Sequence, residues 1–530
     1  MIAAASEQTP ARVTIQGNVA PALQDATFVN HSDPNAVLTI VVGLKLHNES
    51  EFTDLLNRLY DANSADYHRW ITPADFLAKF SPIQSDVDAV RQHLESHGLT
   101  IKRVSDNRVL VEATGTVAQI EEAFAININA YKLGAETHYS NDRNPSVPSS
   151  LKDVVESVTG LSSLEKMHHT SNFEESPAAA VTYTPLEIAT IYNFPSSLNS
   201  FHGKTVYDGT GVTIALATAD TYLTSDVDYF WTYFAIQRTG TLTNICVNGC
   251  TSTLAYEPTL DVEWSGAQAP GANLIVYEVP SSSFSDFSLM FSQMASDNSA
   301  QVVSISYNAC ESNVGQSVMK TENASFSQMA AEGITIFAGS GDYGAYDCDT
   351  KQLKIGFPAS DPDLTAVGGT TLNATAQYRY KSESAWTYSG GGASSYFAKP
   401  SWQVGPGVPS NKKRDIPDIA FDADENTGQY TYYEGEWYSG FGTSYGGPNM
   451  AGYWALVLEA LKGKSTGNVA PLFYQLGAST SYKMDMHDVT TGNNGAGIGP
   501  GYNAAKDWDY TTGWGSLNGT KALSYFEKNP

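Results

Sequence analysis

The sequence predicts an α/β fold in which a mostly parallel sheet carries helices on both faces, preceded by a smaller α+β domain. After about residue 183, strand-like apolar segments alternate with helix-like segments, which favours parallel strands joined by crossover helices. About 350 residues can bury one large core, so we predict a single large domain over residues 183–530. The predicted strands are 212–218, 274–279, 302–307 and 334–339, and the predicted helices are 287–294 and 326–331.

Residues 1–160 are predicted to form the smaller domain. Its apolar spacing predicts one strand and three helices, with a hairpin turning at Asp106-Asn107, which together make an α+β unit with an antiparallel sheet. The segment 161–182 is rich in Ser, Glu and Ala and is predicted to be an exposed linker where proteolysis concentrates. The strand is predicted at 38–44 and the helices around 52–59, 87–94 and 117–124.

The charge balance is strongly acidic. Lys and Arg number 30 against 56 Asp and Glu, which gives a net charge of −26 at neutral pH, although only 16% of residues are charged. Such a chain repels itself little once its carboxylates protonate, which suits an acid environment. The acidic balance excludes nucleic acid as an expected partner, and no run of 18 apolar residues suggests a membrane span.

Ser444 is the first candidate functional residue. It lies in the Gly-Thr-Ser-Tyr-Gly-Gly-Pro stretch 442–448, ahead of apolar residues at helical spacing. A serine at a helix N-terminus lies where backbone amides favour developing negative charge, so Ser444 is a candidate nucleophile. The alternative is that its hydroxyl only caps the helix.

A serine nucleophile needs a base, and histidine is an improbable one here. Of ten histidines, only His202 and His487 follow residue 180. Glu257 and Asp261 lie four apart in a segment where Pro258 predicts a helix start, so the two carboxyls would share a face and a proton. At pH 4 histidine is about 0.3% neutral, whereas glutamate is still roughly one-third ionised. The alternative interpretation is that the two carboxylates only stabilise the helix, because negative charge in a first turn interacts favourably with the helix dipole.

These residues resemble the sedolisins, or serine-carboxyl peptidases. The resemblance implies a subtilisin-like fold in which Glu257 has the role of the subtilisin histidine, Asp261 orients it, Ser444 is the nucleophile and Asp342 helps to form the oxyanion hole. Segments 67–73 and 97–100 resemble the ferredoxin-like activation domain of that family, which assists folding and blocks the site. The motifs that carry the resemblance are Glu257 to Asp261, 269–272 (A-P-G-A), 340–342 (S-G-D), 389–392 (S-G-G-G), 416–419 (I-P-D-I) and Ser444 to Pro448.

The C-terminal region holds a candidate calcium site. Aspartates and backbone carbonyls in Gly-rich loops suit a hard cation, although such loops are usually only turns. The resemblance implies one structural Ca²⁺, with family members often having glycine where this chain has Ala505 and Asp507. The implied ligands are the side chains of Asp488 and Asp509 and the carbonyls of Val489, Ala505 and Asp507.

The four cysteines suit two disulfides in an oxidising compartment, with free thiols as the alternative. Cys246 and Cys250 flank a short Asn-Gly turn and would close a small loop. The resemblance implies that Cys310 pairs with Cys348. No full signal peptide is visible. The first six residues, Met-Ile-Ala-Ala-Ala-Ser, fit the remnant of a signal peptide, so secretion is expected.

The function predicted is therefore a secreted, acid-acting serine-carboxyl endopeptidase made as a self-activating zymogen. Its expected partners are protein and peptide substrates and its own N-terminal domain, and a monomer is expected. A tripeptidyl exopeptidase of the same family, a neutral serine hydrolase using His202, and an inert calcium-stabilised binding protein are the alternatives.

Overall fold

The computed structural model describes most of the chain and shows two domains that pack against each other. The N-terminal domain has its own apolar core, and the large domain has apolar cores on both sides of its central sheet. No helix in the described part of the chain combines the length and apolarity that crossing a membrane requires. The described residues are 11–164, 166–170, 172–175, 181–198, 206–347 and 352–529.

The N-terminal domain is built on a four-stranded antiparallel sheet of order β4-β5-β3-β9. If β3, β4, β5 and β9 are numbered 1 to 4 in chain order, the sheet read from β9 has the strand order 4-1-3-2 of a ferredoxin-like fold. This agrees with the expected antiparallel α+β unit. The predicted strand and three helices are present, and the hairpin between β4 and β5 turns at the predicted place. The elements are β1 (Arg12–Thr14), β2 (Thr27–His31), β3 (Val37–Leu44), α1 (Glu49–Leu59), α2 (Pro73–Lys79), α3 (Gln84–Ser96), β4 (Thr100–Val104), β5 (Leu110–Thr116), α4 (Val117–Phe124), β6 (Ile128–Leu133), β7 (Glu136–Asn141), β8 (Ser146–Pro148) and β9 (Val155–Thr159).

Two short strands follow in the linker, β10 (His168–His169) and β11 (Asn172–Glu175). Both pair with strands of the large domain, antiparallel in each case. Met167 and Thr170 are buried, at 1% and 6% exposure. Lys166, His168 and His169 are exposed, so the described part of the linker is both paired with the large domain and partly open to solvent. Main-chain pairing of this kind needs no particular side chains and leaves little trace in the sequence.

The large domain is built on an eight-stranded sheet of order β13-β14-β12-β15-β17-β19-β20, with β23 beside β19. All neighbouring strands run parallel except the β19–β20 pair. The alternation of strands and helices in the sequence predicted this doubly wound arrangement. Its first elements are α5 (Pro185–Ile191), β12 (Thr213–Thr218), α6 (Thr224–Tyr233), β13 (Leu242–Cys246), α7 (Tyr256–Gln268), β14 (Asn273–Glu278), α8 (Phe284–Asp297), β15 (Val302–Ile305), β16 (Tyr307–Cys310), α9 (Gln316–Ala331) and β17 (Thr335–Gly339).

The second half of the domain carries the remaining strands and the helix that follows Ser444. The helices α7 and α10 pack in one apolar core and α8 and α9 in the other, so both faces of the sheet are covered. The elements are β18 (Gly356–Phe357), β19 (Thr365–Ala374), β20 (Tyr380–Ala385), β21 (Gly392–Ala398), β22 (Lys413–Ile416), β23 (Ile419–Asp422), β24 (Gln429–Tyr433), β25 (Glu436–Phe441), α10 (Gly446–Ala460), α11 (Ala470–Gly477), α12 (Tyr482–Asp485), β26 (Met486–His487), β27 (Ser516–Leu517) and α13 (Gly519–Phe526).

The N-terminal domain docks on the face formed by α8 and α9. The tip of its hairpin inserts Asn107, whose amide donates to Gln328 (2.9 Å) and accepts from the Ser292 hydroxyl (2.8 Å). Lys320 of α9 pairs with Glu49 at 3.2 Å and Glu156 at 3.3 Å, both from the N-terminal domain. Apolar residues of both domains share one core there, which fixes the linker's starting point beside the sheet.

Candidate active site

Helix α7 carries two buried carboxyl groups into the interior. It starts at Tyr256, one residue before the predicted start, with Pro258 in its first turn where a missing N–H costs nothing. Glu257 and Asp261 lie one turn apart and are 1% and 0% exposed. Their spacing therefore brings two ionisable groups together where water cannot separate them.

Asp261 is held by Ser306, which lies between β15 and β16. The Ser306 hydroxyl donates to Asp261 Oδ1 at 2.7 Å. The pKa of Asp261 is raised well above its ordinary value, first by burial and then by the neighbouring Glu257 carboxylate, while the Ser306 hydrogen bond opposes the rise. Two coupled carboxyls of this kind share one proton over a wide pH range, which is the arrangement expected for acid–base work.

Ser444 lies in a short 3-10 turn, Thr443–Tyr445, directly before α10. Gly442 has φ of +117°, a left-handed conformation that a residue with Cβ adopts only with strain, so the turn needs glycine there. Ser444 is fully buried. Its Oγ lies 2.8 Å from Thr170 Oγ1 and 3.5 Å from the carbonyl oxygen of Ser306.

Asp342 follows β17 and is tied to the residue before Ser444. The N–H and the hydroxyl of Thr443 donate to Asp342 Oδ1 at 2.8 and 2.7 Å. The other oxygen, Oδ2, is buried without a hydrogen-bond partner among the described residues. Burial raises the pKa of Asp342 well above its ordinary value; the Thr443 hydrogen bonds oppose this and the Glu257 charge adds to it. A protonated Oδ2 would be a hydrogen-bond donor with nothing yet to bind.

The linker crosses this cluster in an extended conformation. The N–H of Thr170 donates to Ser306 O at 3.0 Å, and the N–H of Ser444 donates to Thr170 O at 3.3 Å. Upstream, His168 and His169 pair with β16, and downstream β11 pairs with β25. The Thr170 carbonyl is thereby positioned against the amide of the candidate nucleophile.

Two further residues were not predicted as part of the site. Ser306 links Asp261 to Thr170, and Thr443 links Asp342 to the Ser444 turn. The sequence treats 302–307 as one strand, whereas the structure ends β15 at Ile305 and begins β16 at Tyr307. A polar residue inside an apolar strand run was the available signal for Ser306. Thr443 belongs to the quoted Gly-Thr-Ser motif but had no predicted role.

Neither of the two histidines that follow residue 180 is found in this cluster among the described residues. His487 stacks on Tyr380 with ring centroids 3.5 Å apart, and burial lowers its pKa to about 4. His202 lies outside the described residues.

Four of the predicted calcium ligands form two pairs of contacts in the C-terminal loops. The N–H of Asp507 donates to both oxygens of Asp488 (3.1 and 3.2 Å), and the N–H of Ala505 donates to Asp509 Oδ2 (2.8 Å). Burial raises the pKa of Asp488, with the Asp507 charge adding to it, and burial also raises the pKa of Asp509. A cation would relieve these raised values, so the oxygen-only set fits calcium in chemistry. Across the described ranges, however, no three His, Cys, Asp or Glu side chains are arranged to hold a metal.

The structure contains the small disulfide loop predicted near α7. Cys246 and Cys250 are joined, with Cα atoms 4.8 Å apart. Cys310 is also disulfide-bonded, and its predicted partner Cys348 lies outside the described residues.

Comparison with known proteins assigns both parts of the chain. Residues 24–164 match the pro-kumamolisin activation domain, and residues 248–492 match the subtilase family. The chain is 33% identical to sedolisin of Pseudomonas sp. (strain 101), over 92% of this chain and 87% of that protein. It is 29% identical to kumamolisin of Bacillus sp. (strain MN-32), over 84% of each.

A solved structure agrees in fold. Pseudomonas sedolisin, complexed with two molecules of pseudo-iodotyrostatin, superposes with a TM-score of 0.59 and 32% identity, over 66% of this chain and 99% of that chain. The resemblance inferred from the motifs and the subtilisin-like fold are thus confirmed. The chain belongs to the sedolisin family of serine-carboxyl peptidases and carries the N-terminal activation domain of a zymogen.

Proposed function

We propose that this chain is a secreted endopeptidase that works in acid and uses Ser444, Glu257, Asp261 and Asp342. The proposal rests on the peptide segment that binds next to Ser444. The Ser444 N–H donates to Thr170 O, and the Thr170 N–H donates to Ser306 O. A serine peptidase holds its substrate in this way, with the carbonyl on an oxyanion donor. Two of the carboxyls that the family motifs assign lie next to this segment: Asp261 accepts a hydrogen bond from Ser306, and Glu257 Oε2 lies 3.8 Å from His169 Nδ1.

The proposed reaction starts when Glu257 removes the proton of Ser444 and Oγ attacks the carbonyl carbon. The carbonyl oxygen gains negative charge, which the Ser444 N–H and a protonated Asp342 Oδ2 stabilise. The carbon–nitrogen bond then breaks as Glu257 returns the proton to the amine, leaving an acyl-enzyme. Water attacks this ester with Glu257 again as the base, which restores Ser444. Asp261 orients Glu257 and exchanges its proton with it.

The acid dependence follows from the carboxyl groups. Asp342 donates only when protonated, and burial raises its pKa, so the donor is present in acid and is lost as pH rises through that value. Asp261 likewise has a raised pKa beside Glu257. We therefore propose that activity falls towards higher pH as the shared protons leave.

We propose the endopeptidase mode from the path of the linker. Thr170 and the three residues before it, back to Met167, lie on the amino side of the proposed bond, and the Met167 N–H donates to Ser282 O at 2.8 Å. Room for a fourth residue on this side of the bond supports internal cleavage over removal of tripeptides. β11 on the carboxyl side of the bond extends the groove in the other direction.

The domain arrangement proposed is an activation domain over 1–160, a linker with the activation cleavage over 161–182, and the catalytic domain over 183–530. The N-terminal domain acts as an intramolecular inhibitor, since the linker that leaves it fills the groove. We propose that the activation cleavage falls at the peptide bond after Thr170. One structural Ca²⁺ is proposed at Asp488 and Asp509, with main-chain carbonyls of the loop completing the oxygen set.

An amino-terminally acetylated peptide with an internal fluorescence-quenching pair tests this proposal. After acid incubation, the chain should cleave it at pH 4, while Ser444→Ala and Glu257→Gln should lose at least two orders of magnitude in kcat/KM. Cleavage of the free-amine peptide alone, with release of tripeptides, would favour the exopeptidase instead. Full activity of Glu257→Gln would remove the carboxylate base from the account.

A further inference from the structure

The hydroxyl of Thr170 makes a contact that binding of the peptide backbone does not require. Thr170 Oγ1 lies 2.8 Å from Ser444 Oγ, and 3.3 Å from Ser306 O. The two atoms are buried together, with Thr170 6% and Ser444 0% exposed. Among the described residues, Ser444 Oγ is within hydrogen-bonding distance of Thr170 Oγ1 and Ser306 O.

The distances allow two arrangements of the hydroxyl protons, and each one hinders the attack by Ser444. A threonine hydroxyl has one proton to donate, and Ser306 O is a carbonyl that can only accept. If Thr170 donates to Ser306 O, the free lone pairs of Oγ1 accept the proton of Ser444. That proton then points at Thr170 and must leave this hydrogen bond before a base can remove it. If Thr170 donates to Ser444 instead, it occupies a lone pair needed for the attack.

From this geometry we infer that the Thr170 hydroxyl slows cleavage of the peptide bond that follows Thr170. We call this effect the Thr170 brake. The carbonyl is in place on the Ser444 amide, but the side chain of the same residue holds the nucleophile in a hydrogen bond that must break before attack. The inference rests on the proposed function, and it extends to substrates. A threonine or serine on the amino side of the cleaved bond is turned over more slowly than a residue of similar shape without the hydroxyl.

The main chain holds Thr170 beside Ser444. Its N–H donates to Ser306 O, and its carbonyl accepts the N–H of Ser444. The hydroxyl lies in space that Gly339 leaves open, since a Cβ atom on this glycine would be 3.1 Å from Thr170 Oγ1 and 3.1 Å from Thr443 O. The contact between the two hydroxyls is therefore available whenever the linker lies in the groove.

The test compares the full-length chain with Thr170→Val, Thr170→Ala and Thr170→Ser. Each is brought from neutral pH to pH 4, and the loss of the intact 57.0 kDa chain is followed by mass spectrometry. A typical hydrogen bond accounts for a roughly three- to tenfold difference in rate, so the Val and Ala variants should be cleaved faster by about that factor. The Ser variant keeps the hydroxyl and should stay within about twofold of the native rate, by the same reasoning.

Two acetylated peptides tested on the processed enzyme provide a second readout that does not depend on how the variants fold. They carry Thr or Val on the amino side of the cleaved bond and are otherwise identical. The Thr peptide should show the lower kcat with a similar KM, because both bind through the same main-chain contacts. If Thr170→Val and Thr170→Ala are cleaved no faster than the native chain, and the two peptides have equal kcat, the inference about Thr170 is wrong while the proposed function stands. Absence of all cleavage, in the native chain as in Ser444→Ala, overturns the proposed function and the brake with it.

Discussion

Ser306 connects Asp261 to the peptide in the groove. Its hydroxyl donates to Asp261 Oδ1 at 2.7 Å, while its carbonyl accepts the N–H of Thr170 at 3.0 Å. One residue between two strands therefore touches both the buried carboxyl pair and the bound chain. A shift in how the peptide binds can therefore reach Asp261 through Ser306, and Glu257 through His169, whose Nδ1 lies 3.8 Å from Glu257 Oε2.

Replacement of Ser306 by alanine is expected to lower kcat by about one to two orders of magnitude, the size of one lost hydrogen bond to a charged group. Because that hydrogen bond lowers the pKa of Asp261, its loss raises this pKa further. The falling limb of the pH–rate profile should then move to higher pH. Ser304→Ala is the matched control, since Ser304 is fully buried on β15 and its hydroxyl has no partner among the described residues. An unchanged profile in Ser306→Ala would remove Ser306 from the proton-sharing group.

Asp342 is expected to contribute as a protonated donor. Asp342→Ala should lower kcat by about two to three orders of magnitude, as loss of an oxyanion donor does. Asp342→Asn keeps an N–H donor that needs no proton, so its residual activity should persist at higher pH than that of the native enzyme. The comparison is the pH profile of kcat for the two variants. A native-like loss of activity at high pH in Asp342→Asn would show that another group titrates there.

Two buried glutamates outside the site predict that the fold is most stable in acid. Burial raises the pKa of Glu322 and of Glu332 from 4.5 to about 8. Their folded-state pKa values exceed the unfolded ones, so their stabilising effect is complete below pH 4.5 and is lost as pH rises towards 8. Each should lower the free energy of unfolding by about 1.4 kcal/mol per pH unit across that window.

The measurement is chemical unfolding between pH 4 and 8 in the Ser444→Ala background, which prevents self-digestion. Glu322→Gln and Glu332→Gln keep the hydrogen-bonding carbonyl and cannot ionise, so the double variant should show a flatter dependence on pH. Glu49→Gln, a partly exposed glutamate at the domain interface, is the control. Equal slopes in the native and double-variant chains would exclude these two residues as the cause.

Calcium should stabilise the C-terminal loops. Removal of calcium by a chelator is expected to lower the melting temperature of the Ser444→Ala chain, and added calcium at about 100 times its dissociation constant should restore about 2.7 kcal/mol. Asp509→Asn should abolish the calcium response. Asp485→Asn, on α12 before these loops, should retain it. A chelator-independent melting temperature in the parent chain would mean that this loop pair holds no stabilising ion.

Much of this architecture was predictable because its signals are local. The period of apolar residues located four of the eight strands of the large sheet, β12, β14, β15 and β17. Pro258 located the start of α7 to within one residue. Ser444 was recognisable from the glycine-bounded turn before an apolar helix. Motif order then supplied Asp342, whose role as a donor no local pattern reveals.

The contacts that the sequence did not predict are those made between distant segments. Strand pairing of the linker with β16 and β25 uses main-chain groups, which every sequence has. The 2.8 Å contact between Thr170 and Ser444 joins residues 274 positions apart. The break between β15 and β16 falls at Ser306, whose hydroxyl donates to Asp261 on another element, a contact that only the folded chain brings about.

Ser444 and Glu257 are proposed to cleave this chain's own linker in acid. Mass spectrometry of the native chain, Ser444→Ala and Glu257→Gln after incubation at pH 4 tests this. We expect a new amino terminus at Ser171 in the native chain, with both variants left intact. Native-like processing of either variant, or a native chain cut only outside 161–182, would contradict it.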